Sequence, residues 1–237
     1  MSESRYVWLI WASAFLLPWF VLWIRYPRDR SIMWRASATT MLFGLTEPIF
    51  VPEYWNPPSL FDLAHRTGFD LESFIFSFAI GGIGVMLYRA AIGGRTVPLP
   101  ALHQHAGRHR YHRLALATAP VLFLPLWALP WNPIYAATTA MLGGAVAAAA
   151  CRPDLVRNTL VGALLFLALY TLFMLSLVVF APGYIERTWL VAELIPVRPA
   201  GIPIEELRCG ISCGAYWSAI YEHLFWYRVT PVATARP

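Results

Sequence analysis

Long apolar runs recur along the chain, each separated from the next by a short polar or charged connection. They cover Tyr6 to Arg25, Ile32 to Pro52, Phe69 to Ala91, Tyr111 to Trp131, Pro133 to Cys151, Leu155 to Ala181 and Pro203 to Trp226. About 20 apolar residues in a helix span the hydrocarbon of a bilayer. The pattern therefore predicts an all-α polytopic membrane protein with about seven transmembrane helices. The fifth run is the least hydrophobic. From Ala136 through Gly143 and Gly144 to Ala150 it is dominated by small residues, which let helices approach closely in lipid, so it is expected inside the bundle. The first run is too long for a removable signal peptide and lacks a small-residue cleavage site, so it reads as a retained anchor.

Composition agrees with this pattern: 58% of the residues are hydrophobic and 13% charged, too few charges to cover a soluble globule. The formal charge of +5 does not signal nucleic-acid binding, because the basic residues lie in particular connections. All of them are Arg. Without a Lys, a seven-helix retinal protein with its Schiff base is excluded. Arg25, Arg28, Arg30 and Arg35 flank the first connection, Arg89, Arg95, Arg108, Arg110 and Arg113 the third, and Arg152 and Arg157 the fifth. Arginine-rich connections stay cytoplasmic. The alternate connections hold Arg66, Arg187 and Arg198 with most of the acids, so the N-terminus is expected outside and the C-terminus inside a bacterial-type inner membrane. Cys151, Cys209 and Cys213 suggest no disulfide framework.

Shifting the chain against itself by 133 positions aligns Gly68-Phe-Asp-Leu-Glu-Ser-Phe with Gly201-Ile-Pro-Ile-Glu-Glu-Leu. Glu72 then falls on Glu205, Gly81 on Gly214 and Tyr88 on Tyr221. This order suggests two three-helix units, residues 1–92 and 133–237, joined by a basic loop and connector helix over 93–132. An odd connector keeps both units in the same orientation, related by an axis along the membrane normal.

Acids gather at corresponding points of the two units. Glu205 and Glu206 follow Pro203 at the start of the last run, Asp70 and Glu72 open the third, and Glu47 lies in Thr46-Glu-Pro-Ile near the outer end of the second. Helix capping is the simpler role for each. Ionisable groups within apolar helices are nonetheless costly and mark function, and a carboxyl group against hydrocarbon suits proton donation to an alkene. Aromatic faces near such acids stabilise a cation; Tyr216, Trp217, Phe74, Phe76 and Phe78 are candidates by helix position. Glu222, at the other end of the last run, is expected to pair with a nearby Arg or His. The histidines of His103-Gln-His105-Ala-Gly-Arg-His109-Arg-Tyr-His112 sit in the basic loop and read as a polar cytoplasmic segment, with no metal assigned.

The duplicated three-helix unit with Pro-x-Glu-Glu opening its last helix resembles the carotenoid (lycopene) cyclase domain family, in the fused form of its two-subunit type. The resemblance implies a cofactor-free, non-redox isomerisation. An acid protonates a terminal double bond of a linear carotene such as lycopene, a neighbouring alkene attacks the tertiary cation, and proton loss leaves a cyclic end group. It assigns the acids to Glu205 and Glu206, with Glu72 matching in the first unit and Glu205 as the expected general acid. The first unit reads Asp-Leu-Glu-Ser where the family has Pro-x-Glu-Glu, and Arg208 follows the second motif. Either Arg208 points away from Glu205, or Glu206 or Glu72 is the donor.

The implied partners are a linear carotenoid and the lipid bilayer, with no nucleic acid; association with other carotenoid enzymes or with itself stays open. Two other classes compete. A carotenoid-modifying hydratase or hydroxylase would add oxygen, in the latter case with dependence on His105, His109 and His112. A non-enzymatic carrier or scaffold would use the acids only as caps.

Overall fold

The computed structural model describes residues 6–104 and 106–231, without the side chains of Ala101 and Arg108; His105 lies outside the described residues. The chain is mostly helical. The principal helices are α1 (Val7–Arg25), α2 (Arg30–Met41), α3 (Leu71–Ile92), α4 (His112–Trp127), α5 (Pro133–Cys151), α6 (Val156–Phe180) and α7 (Ile204–Leu224). Among the described residues, four stretches are long and apolar enough to cross a membrane: Val7–Arg25, Leu71–Ile92, Pro133–Cys151 and Pro153–Phe180.

The remaining three differ for local reasons. The run expected over Ile32 to Pro52 breaks into α2, a 3-10 segment at Leu42–Thr46 and a short helix at Glu47–Phe50, since Pro48 has no N–H to continue the ladder. α4 contains Pro120 and Pro125 and ends at Trp127, before the expected Trp131. α7 has the length but carries Glu205, Glu206, Arg208 and Glu222. Where start signals are strong, the boundaries follow them. Asp70 caps α3 by accepting from the Ser73 N–H at 2.5 Å, and Asn132 caps α5 just before Pro133, a residue suited to the first helical position.

α3 and α7 form the centre. α2 and α1 pack on α3, α6 and α5 pack on α7, and α4 covers α5. Glycines permit the close approach of these helices. A Cβ on Gly81 of α3 would stand 1.9 Å from Thr40 Oγ1 of α2, and one on Gly214 of α7 would stand 2.6 Å from Phe166 Cβ of α6. Gly81→Ala is expected to lower stability by about 1–3 kcal/mol, as overpacking does, and Thr40→Gly should recover part of the loss; thermal unfolding in detergent micelles reads both.

The fold is not purely α. Strands β1 (Gly94–Pro98) and β2 (Tyr227–Pro231) pair antiparallel, Gly94 opposite Pro231 and Pro98 opposite Tyr227, and tie together the segments that follow α3 and α7. Large apolar side chains face outward along the long helices, Leu17 at 69% exposure, Ile24 at 70% and Phe180 at 76%. Such a surface suits lipid, and the four apolar helices are consistent with a membrane protein.

Candidate active site

A cavity of about 170 Å³ lies at the N-terminal ends of α3 and α7, and both Glu47 and Glu206 reach its wall. Trp8, Phe50, Trp55, Phe76 and Phe173 are among its apolar lining residues. Phe76 projects from the second turn of α3 onto Trp8 and Phe15, with ring centroids 5.4 and 5.3 Å away.

Glu206 is buried and fully engaged. Tyr54 and Trp189 donate to its Oε1, the indole at 2.7 Å, and the Tyr170 hydroxyl donates to Oε2 at 2.5 Å. These donors come from three separate segments. Tyr170 belongs to α6, whereas Tyr54 and Trp189 lie in the connections after the Glu47–Phe50 helix and after α6. A backbone bridge joins those connections: Asn56 N–H donates to the Thr188 carbonyl at 2.7 Å and Leu190 N–H to the Tyr54 carbonyl at 3.0 Å. Burial, reinforced by the charge of Glu206, pushes the Tyr54 phenol well above its ordinary pKa, so it remains a hydrogen-bond donor.

Glu47 is held differently. Its Oε2 accepts from the Ser73 hydroxyl at 2.8 Å, while its buried Oε1 has no hydrogen-bond partner. Ser73 also gives its N–H to Asp70, so one residue links the helix cap to the acid. Glu72 and Glu205 face the loops that precede their helices. Glu72 Oε1 accepts from Leu60 N–H at 2.7 Å; Glu205 Oε1 accepts from Ile195 N–H at 2.9 Å and from the Tyr135 hydroxyl at 2.6 Å. Arg208 lies over the Tyr135 ring, 5.3 Å from its centroid.

A family model described as lycopene cyclase matches residues 132–224. That segment is similar to a lycopene cyclase domain. No curated protein and no solved structure matches the chain. The matched segment runs from the Asn132 cap of α5 to the end of α7 and contains Glu205, Glu206, Tyr170 and Trp189. Glu47, Tyr54, Ser73 and Phe76 come from outside the matched segment, so the cavity is built from both parts of the chain. The family supports a carotenoid cyclase role and implies a carotenoid substrate and a membrane setting.

Of the residues singled out in the sequence, the cavity wall therefore holds Glu47, Glu206 and Phe76. Asp70, Glu72 and Glu205 stand behind it as cap and loop clamps. Four aromatics lie elsewhere: Phe74 lies against Gly44, Phe78 against Trp19 and Trp34, Tyr216 against Gly144, and Trp217 against Gly84 and Phe43. The three donors to Glu206, Tyr54, Tyr170 and Trp189, are not among the residues the sequence singles out. The available signal was a requirement: a buried carboxylate needs donors, and Tyr and Trp are the apolar residues that carry them.

Proposed function

We propose that the protein is a membrane carotenoid cyclase that closes the end group of a linear carotene by acid catalysis, without redox chemistry. The observation that carries this reading is the pair Glu47 and Glu206 on one aromatic-walled cavity. Hydrogen bonds to a carboxylate stabilise its charged form. Glu206 receives three and serves as the anion that holds a developing cation; Glu47 receives one and serves as the proton source. Glu47 protonates the terminal double bond, and the tertiary cation is attacked by the neighbouring alkene. The carboxylate left on Glu47 then takes a proton from the ring. Atoms and electrons balance within the substrate, so product and substrate have the same mass. Phe76, Trp8 and Trp55 offer ring faces to the cation. The cavity is too small for a whole carotene, so the rest of the chain extends into lipid.

The reading extends to architecture. We take the fold as two parallel three-helix units, 1–92 and 133–237, around the 93–132 connector, with seven crossings. Arg89 and Glu222, 133 positions apart, form an ion pair between α3 and α7. β1 and β2 begin the same interval apart, and their register maps onto itself when the two strands are exchanged. Both relations support a two-fold axis. Glu72 and Glu205 become equivalent loop clamps, and Ser73 becomes the equivalent of Glu206. The arginine bias supports a cytoplasmic strand end and an outward-facing cavity.

Expression in a bacterium that accumulates lycopene is expected to yield cyclic carotenes isobaric with lycopene, resolved by chromatography and mass spectrometry. A gain of the mass of water would support a hydratase, and bound but unaltered pigment a carrier; either result would overturn the cyclase reading.

A further inference from the structure

At the opposite end of α7, about 25 Å from Glu206 by helical rise, three residues far apart in sequence converge. His112 opens α4, Cys151 ends α5 and His223 lies in the last turn of α7, with their ligating atoms all within 4.8 Å of one another. Cys151 Sγ stands 3.7 Å from His112 Nδ1 and 3.7 Å from His109 Nδ1. Zinc bonds of about 2.3 Å to sulfur and 2.0–2.1 Å to nitrogen put the two atoms roughly 3.5 Å apart in a tetrahedral site. The observed separations are close to that.

The second observation is His223 itself. It is fully buried, and neither ring nitrogen has a hydrogen-bond partner. A buried imidazole with nothing on either nitrogen is costly, and a metal bond removes that cost. The surroundings suit an ion. Two of the three ligands sit at helix C-termini, where the helix dipole favours positive charge. Arg152, the nearby cation, is engaged elsewhere: it makes a two-point contact with Asp154 at 2.8 and 2.6 Å and donates to the Glu222 and Tyr227 carbonyls. Trp226 stacks on His112, with centroids 4.1 Å apart, and fixes the ring plane. Neutral imidazoles and a thiolate are the ligand set of zinc and related borderline-soft ions.

We propose that His112, Cys151 and His223 bind one zinc ion that fastens the start of α4 to the ends of α5 and α7, with His109 beside the fourth position. The full chain, purified in detergent and stripped with a chelator, is expected to take up one equivalent of Co2+ with a thiolate-to-cobalt charge-transfer band. Zn2+ should bleach that band, and chelation should lower the melting temperature. Cys151→Ser should abolish the band, and His223→Gln should weaken Co2+ binding at least about tenfold, both in protein that remains monodisperse. Absence of a charge-transfer band would overturn the site. So would a band that survives Cys151→Ser and disappears when Cys209 or Cys213 is replaced, or Co2+ affinity unchanged in His223→Gln.

Discussion

Glu47→Gln is expected to leave lycopene uncyclised, with conversion reduced about 10²- to 10⁴-fold, the range over which general acid catalysis contributes. The amide keeps the shape of the side chain and can still accept from Ser73, so the cavity should persist while its proton source is lost. Glu206→Gln should be comparably severe for a different reason: it removes the negative charge while Tyr54, Tyr170 and Trp189 still point at the site. Glu205→Gln is expected to act more mildly, by loosening its contacts with Ile195 and Tyr135. Pigment extracted from lycopene-producing cells ranks the three variants, and size-exclusion elution of each in detergent shows that it is folded. Wild-type conversion by Glu47→Gln together with a dead Glu205→Gln would move the donor role to Glu205.

The ranking of these acids shows how far sequence reasoning reaches. The motif directs attention to the first turn of α7, but two adjacent carboxylates there face different ways: one Glu clamps a loop and the next meets the cavity. Helical periodicity separates neighbours by about 100°, yet which face is interior depends on α5 and α6. Glu47 reaches the cavity from another segment, held by the Ser73 hydroxyl of α3. No motif in the sequence announces that pairing of residues 26 positions apart.

The helices divide on similar grounds. α5 runs over Pro133–Cys151 as its cap, its first-position proline and its apolar run predict. The segment after α2 carries an apolar run too, yet Pro48 interrupts the regular helix. That interruption helps bring Glu47 to the cavity. β1 and β2 were illegible because each is only five residues long and follows a helix; strands that short gain their stability from the partner, not from their own pattern.

Arg89→Met is expected to destabilise the fold more than any other single change outside the cavity, by about 3–5 kcal/mol, the usual cost of breaking a buried ion pair. Arg89 is wholly buried on α3 and bridges Glu222 of α7 at 2.7 Å and Asp29, before α2, at 3.0 Å. Removing it takes from Glu222, whose side chain is 1% exposed, its ion-pair partner, whereas Asp29 at 17% has some access to solvent. The damage should therefore come mainly from Glu222. On that argument the double variant Arg89→Met/Glu222→Met recovers most of the lost melting temperature, since an apolar pair of similar volume replaces an ion pair at little cost. Thermal unfolding of wild type, both single variants and the double variant in one detergent forms a closed cycle. A double variant as unstable as Arg89→Met would mean that the arginine acts through Asp29 and the α1 to α2 connection, and that the contact between α3 and α7 is held chiefly by packing and by the β1–β2 ladder below it.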